Sequence, residues 1–332
     1  MALDGIVISS LVKEFNETLT GGKIAKIAQP ENDELLLTIK NFRNQYRLLI
    51  SAGASLPLIY LTGDNKPSPM TAPNFCMLLR KHIANGKILR IWQPGLERII
   101  HFEIEHLNDL GDLCHKVLTV EIMGKHSNII FCDDNNKIID SIKHVGIQMS
   151  SVREVLPGRE YFIPHTQDKE NPLTITEERF RETVLTKPLP LSKALYMTLT
   201  GISPLIAEEI CHRASLESDQ SANSFSDTEA THLYHTFSRL MEDVKNGNFT
   251  PTVVYDGREP LEFSALPLTL YQDKRVETFE SISAVLENYY AMKNTITRIR
   301  QRSSDLRRIV NTALERNRKK YELQLRQLKD TE

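Results

Sequence analysis

The stretch Leu118-Thr-Val-Glu-Ile-Met-Gly-Lys-His-Ser-Asn-Ile-Ile-Phe-Cys-Asp133 decides how the first half of the chain reads. Val120, Ile122, Ile129 and Phe131 take buried strand positions, and the polar run Gly124-Lys-His-Ser-Asn128 separates the two strands. Gly124 admits a positive φ and the close approach of another backbone. Lys125, His126, Ser127 and Asn128 supply a cation and several donors, groups that suit phosphate or sugar. A hairpin with a solvated tip accounts for the same residues. Read beside it is Gln93-Pro-Gly-Leu-Glu-Arg-Ile-Ile100, where Glu97-Arg98 opens a strand just after the Pro94-Gly95 turn.

Outward from this stretch, short apolar segments with polar turns predict an antiparallel sheet. They run Ile24 to Ala28, Leu35 to Ile39, Tyr46 to Ser51, Leu58 to Leu61, Ile88 to Trp92, Ile99 to Ile104 and Ile138 to Ile142. Asp4-Gly5 precedes Ile6, Val7, Leu11, Phe15 and Leu19 at helical spacing, with Asp4 as the expected N-cap and Gly21-Gly22 as the stop. A second helix begins near Thr71-Ala-Pro73 and ends at Asn85-Gly86. His101, Glu103 and Glu105 alternate on one strand face. They could bind metal or move protons, and we read them as a solvated face.

Residues 165–174 read as a polar linker into a helical region. There Leu195-Tyr-Met-Thr-Leu-Thr-Gly-Ile-Ser-Pro204 has the form of a helix-hairpin-helix, whose turn can offer N–H groups to a phosphate but holds no Lys or Arg. Leu216 to Thr231 reads as a mobile acidic loop, and His232 and His235 as surface histidines without a third metal ligand. Val253-Val-Tyr255 and Leu268-Thr-Leu-Tyr271 read as strands that pack back on the first lobe. From Ser281 the chain is helical. Ile299, Leu306, Val310, Leu314, Tyr321, Leu325 and Leu328 form an imperfect coiled-coil seam that still runs at Glu332, so the chain is expected to be part of a longer protein. Arg and Lys far outnumber Asp and Glu on this helix, which points to a partner helix and a polyanion. The divisions expected are 1–170, 175–250, 251–288 and 289–332.

Over the 332 residues the net charge of -2 excludes a uniformly basic nucleic-acid binder, while leaving room for a basic face. No apolar run approaches the roughly 20 residues of a membrane span. The start lacks the layout of a signal peptide. Cys76, Cys114, Cys132 and Cys211 have neither zinc spacing nor a disulfide framework, so a cytoplasmic protein with reduced thiols, and with no cofactor or metal, is expected.

Several of these segments, in order, resemble the NFACT-N family. They are Asp4-Gly5, Gly21-Gly-Lys-Ile-Ala-Lys-Ile-Ala-Gln-Pro30, Pro73-Asn-Phe-Cys-Met-Leu-Leu-Arg-Lys-His82, Val120 to Asn128, Asp140-Ser-Ile-Lys-His144 and Arg153-Glu-Val-Leu-Pro-Gly158. The resemblance implies an α+β fold: a β-sandwich lobe with helices like that of MutM-type DNA glycosylases, then a helix-hairpin-helix domain and the start of a long basic coiled coil. It also implies a non-enzymatic role in ribosome-associated quality control. Such a factor binds the large ribosomal subunit carrying a stalled nascent chain, and recruits alanyl-tRNA so that the chain is tailed with alanine without template. The family's tRNA-binding positions fall on Asp4, Glu97, Arg98, Glu121, Ile122 and Met123, beside the turn residues Lys125, His126 and Asn128. Glu97 departs from the aspartate common in the family, which keeps the charge and lengthens the arm. Arg300, Arg307, Arg308, Arg318, Lys319 and Lys320 are the residues expected on ribosomal RNA. Two other readings come with the family and fold. Fibronectin binding at the cell surface is one. A glycosylase is the other, disfavoured because Met1-Ala2-Leu3 stands where those enzymes have an N-terminal proline and an adjacent Glu.

Overall fold

The computed structural model describes residues 3–164 and 168–330. Met1-Ala2, the His165-Thr-Gln part of the expected linker and the last two residues of the seam lie outside them. Helix α1 (Gly5–Thr18) is followed by β1 (Lys23–Glu31), β2 (Glu34–Asn41), β3 (Asn44–Ser51) and β4 (Leu58–Thr62). After α2 (Asn74–Ile83) come β5 (Lys87–Trp92), β6 (Ile99–Leu107), β7 (Leu113–Glu121), β8 (Asn128–Asp133) and β9 (Ile138–Ser141). These nine strands make one antiparallel sheet in the order β4-β3-β2-β1-β5-β6-β7-β8-β9. Within this order β1–β4 and β5–β9 form two groups that meet at one junction. The edge that β1 would leave open is closed by β5 through the single pair Lys23↔Lys87. α1 and α2 pack on this sheet at its waist, where Phe15 meets Phe102 with ring centroids 6.2 Å apart.

His101 is buried rather than solvated. Its Nδ1 lies 2.8 Å from Thr119 Oγ1, and its ring packs between Trp92 and Tyr161. Glu103 and Glu105, by contrast, stay half-exposed beside His115.

The second half begins with α3 (Glu177–Thr183), α4 (Leu191–Thr198) and α5 (Pro204–Arg213), then α6 (Asp227–Lys245). The segment expected to be a mobile loop is structured up to a Ser226–Glu229 capping box that starts α6. Strands β10 (Thr252–Asp256), β11 (Glu259–Ser264) and β12 (Arg275–Thr278) form their own sheet, ordered β11-β10-β12. Leu268–Tyr271 is no strand. The wholly buried Glu209 carboxylate gathers the Thr269 and Leu270 N–H groups and curls the segment into a 3₁₀ turn. Helix α7 (Ile282–Lys329) buries Ile282, Val285, Leu286, Tyr289 and Tyr290. It is fastened to the first half where Ser283 Oγ accepts from the Leu61 N–H (2.9 Å) and donates to Glu14. Beyond Lys293 it projects, and the expected seam residues Ile299, Leu306, Val310 and Leu314 are exposed.

The two halves are joined where the turn between α4 and α5 meets the start of α1. The Gly5 N–H donates to Gly201 O at 2.9 Å, and Asp4, the N-cap of α1, accepts from Val7 N–H and from Ser203 Oγ, both at 2.8 Å. Ser203 in turn caps α5. Leu96 O fills the remaining space, so a Cβ on either glycine would lie 2.1 Å from it.

Gly201→Ala is therefore expected to cost at least about 3 kcal/mol by urea unfolding, because both its φ of 77° and its neighbours reject a side chain. Gly124→Ala, with positive φ but nothing within 4 Å, is expected to cost only about 1 kcal/mol. A pH effect is also expected. Burial first, and then Arg90, lower the His101 imidazole to about 4. The unfolded chain then binds the extra proton first. His101's contribution is present above the ordinary imidazole range and is lost as pH falls toward 4, a matter of a few kcal/mol. His101→Phe should flatten that part of the stability–pH curve.

Candidate functional site

An open cavity of about 1070 Å³ lies between the Gln93–Arg98 loop, the Gly124–Asn128 turn, residues 143–164 and the α4–α5 turn. Ligand pockets run roughly 300–1,000 Å³, so this one stands at the large end of that range and is open to solvent. Arg98, Lys125, His126, Lys143, His144, Arg153 and Lys169 line it. Glu97 is the one carboxylate among the described lining residues. Met123, Val145, Met149, Val152 and Ile163 add an apolar wall.

Glu97 and Arg98 are placed by their loop. Gln93 Nε2 donates to Gly5 O (2.9 Å) and Glu97 O (2.8 Å), and Arg98 O accepts from the Ile122 N–H at 2.9 Å. Gly124–His126 is a single 3₁₀ turn held from inside by the buried Ser127, whose Oγ accepts from Met123 N–H and donates to Gly124 O. Lys125 and His126 consequently face out, exposed.

Four of the residues expected to touch RNA directly are buried: Asp4, Glu121, Ile122 and Asn128. Asp4 is buried, both its oxygens are used, and burial raises its carboxyl above the usual range against those hydrogen bonds. Glu121 and Ile122 are wholly buried, Glu121 against Arg153 and Tyr161 and Ile122 in the main core; of that strip Met123 alone lines the cavity. Asn128 is also buried at the cavity's edge, and its amide is engaged with the Lys143 backbone (Nδ2 to O 3.0 Å, Oδ1 from N–H 3.1 Å). It sets the position of Lys143.

Lys143, His144, Arg153 and Lys169 are lining residues that the sequence did not single out as a site. The first three sit in the motifs Asp140-Ser-Ile-Lys-His144 and Arg153-Glu-Val-Leu-Pro-Gly158, whose cations were a usable signal. Lys169 carried none. Arg153 Nη2 pairs with Glu121, and its Nη1 donates to Phe162 O at 2.6 Å. Tyr161 OH donates to the other Glu121 oxygen at 2.9 Å. Burial pushes the Glu121 carboxyl up while Arg153 opposes the shift, and burial together with the nearby carboxylate pushes the Tyr161 phenol up. A small second core of Ile130, Cys132, Ile138, Val155 and Tyr161 backs this clasp and holds the segment to the sheet.

Three comparisons bear on this arrangement. The family described as NFACT N-terminal and middle domains matches residues 4–332. The chain belongs to the NFACT family. It is 36% identical over 322 residues to the Rqc2 homolog RqcH of Bacillus subtilis (strain 168), covering 96% of this chain and 54% of that protein. It is 32% identical over 333 residues to the Rqc2 homolog RqcH of Streptococcus suis (strain 05ZYH33), covering 100% of this chain and 56% of that protein. The chain thus spans about half the length of these relatives. The solved N-terminal part of the fibronectin/fibrinogen-binding protein from Streptococcus suis matches with a TM-score of 0.72 at 30% identity, over 87% of this chain and 99% of that one.

The six cations expected on ribosomal RNA are all exposed along α7. Arg300 turns back to Glu259 (3.1 Å), while Arg308 pairs with Asp305 and Arg318 with Glu322. Arg307, Lys319 and Lys320 form no ion pair with described residues. No helix is long and apolar enough to cross a membrane, and no group of three or more His, Cys, Asp or Glu among the described residues is placed to hold a metal.

Arg153→Ala is expected to cost about 3–5 kcal/mol, because it strands the Glu121 charge in the interior. The pair Glu121→Leu/Arg153→Met should recover most of that loss in urea unfolding. A double variant no more stable than the single one would show that wall packing, rather than stranded charge, sets the cost.

Proposed function

We propose that this chain is the tRNA-binding part of a ribosome-associated quality control factor. In this reading it acts in the cytoplasm on large ribosomal subunits that carry a stalled nascent chain. It recruits tRNA, with alanyl-tRNA as the species, so that the nascent chain is extended by alanine without template. Peptide-bond formation belongs to the ribosome, and the chain is not itself an enzyme.

One observation carries the reading: a large open cavity lined by Arg98, Lys125, Lys143, Arg153 and Lys169 against Glu97, the one carboxylate among its described lining residues, with an apolar side on which an unstacked base can lie. Arg98 contributes a fork for phosphate, Glu97 an acceptor for a base edge, and Lys125 and His126 outward donors for backbone or 2′-OH. The names of the RqcH relatives support the ribosomal setting. The α4–α5 pair as a helix-hairpin-helix and α7 as the first strand of a coiled coil belong to the same proposal. The turn at Gly201 serves as a joint, so α7 supplies the contact to ribosomal RNA. The name of the Streptococcus suis structural neighbour favours a second reading, fibronectin binding.

The test is sequencing of RNA co-purified with the full-length protein, beside Arg98→Ala and Arg307→Glu/Lys319→Glu/Lys320→Glu. The expected result is one alanine tRNA plus large-subunit RNA in the wild type. Arg98→Ala should lose only the tRNA, by about tenfold or more, with an unchanged unfolding midpoint. The helix variant should lose the ribosomal RNA, with a shallower salt dependence. No enriched RNA, together with fibronectin capture by intact cells, would overturn the proposal in favour of the second reading.

A further inference from the structure

We propose that Arg98 and Lys169 form a seat for one phosphate group, which makes Lys169 a binding residue of the cavity in its own right. The inference rests on the RNA reading above and names a subsite within it.

Lys169 reaches the cavity from the described part of the expected linker, which is pinned to its neighbours at Glu170 and Asn171. The Glu170 N–H donates to Thr198 O (2.8 Å), and Glu170 O accepts from the Thr200 N–H (2.9 Å). Asn171 lies against Gly95, its Nδ2 3.2 Å from where a Cβ on that glycine would stand. The backbone on the far side of Lys169 is thereby fixed between the α4–α5 turn and the Arg98 loop, and its side chain opens on the same cavity as Arg98. Its Nζ donates to Tyr196 O at 3.2 Å.

The electrostatics of this corner are unbalanced. Surrounding protein, and then the Arg98 guanidinium beside it, hold the Lys169 ammonium below the ordinary lysine range; Glu97 offsets less than Arg98 adds. Neither cation has a carboxylate within 4 Å among the described residues. Two like charges that line one cavity and act on each other repel, and an anion bound by both turns that repulsion into two attractions. A phosphate fits both groups: the guanidinium fork takes two oxygens and the ammonium, as a point charge, takes a third. The competing role for Lys169 is that of a cation at the C-terminal end of α4, held by Tyr196 O alone. That role accounts for the hydrogen bond and leaves the cavity-facing pair of charges unexplained.

The experiment measures tRNA binding by the full-length protein against salt, for wild type, Lys169→Gln, Lys169→Arg, Arg98→Gln and the double Lys169→Gln/Arg98→Gln. Lys169→Gln should flatten the log–log salt slope by about 0.7–0.9, the loss of one phosphate contact, and Lys169→Arg should keep it. The double variant should lose less than the sum of the single losses, because both groups hold the same phosphate. Wild-type affinity should fall as pH enters the lysine range before that of Lys169→Arg does. A lowered melting temperature in Lys169→Gln with unchanged slope and pH profile would assign Lys169 to α4 alone and overturn the seat, as would strictly additive losses. Inorganic phosphate supplies an arm without RNA. It should raise the melting temperature of the wild type more than that of Lys169→Gln even if no tRNA binds, an outcome that would sink only the RNA reading. Equal shifts would sink the seat.

Discussion

The meeting of two backbones at Gly5 and Gly201 is the constraint on which the rest of the arrangement depends. With Leu96 O wedged against both α-carbons, no side chain fits at either position, and the hydrogen bond from Gly5 to Gly201 fixes the α4–α5 turn on the first turn of α1. Asp4 and Ser203 lock the same joint from the side, each capping its own helix while bonding to the other. Since Gly201, Leu96 and Thr200 are also cavity lining, the joint and the floor of the cavity are one object. Asp4 is thus a helix cap at the joint beneath the cavity floor.

Around that floor the charges fall into two kinds. Glu121, Arg153 and Tyr161 satisfy one another, with Glu121 and Tyr161 buried and Arg153 at the cavity surface, so their charge is spent on holding the wall formed by residues 143–164. Arg98, Lys125 and Lys169 lie on the surface of the cavity, without a carboxylate partner within ion-pair distance among the described residues. The first kind makes shape. The second makes a field, and in a chain with a net charge of -2 this field is local. Along α7 the same distinction recurs, with Arg300 tied to Glu259 and Arg307, Lys319 and Lys320 facing solvent.

The sequence by itself determined the antiparallel strands, the start of α1 at Asp4, the turn at Gly124, the α4–α5 turn at Gly201 and the long basic helix. Each is written in local periodicity, capping or glycine chemistry. It also exposed Lys125 and His126, because a turn between apolar strands exposes what it carries. Tertiary structure alone decided that β1 and β5 join into one sheet, that His101 is buried, and that Leu268–Tyr271 curls around Glu209 instead of forming a strand. It alone turned Glu121 and Ile122 inward and brought Lys169 from an apparent linker to Arg98. The physical reason is the same in each case. Periodicity states which residues share a face, whereas burial and charge pairing depend on what the rest of the chain lays against that face.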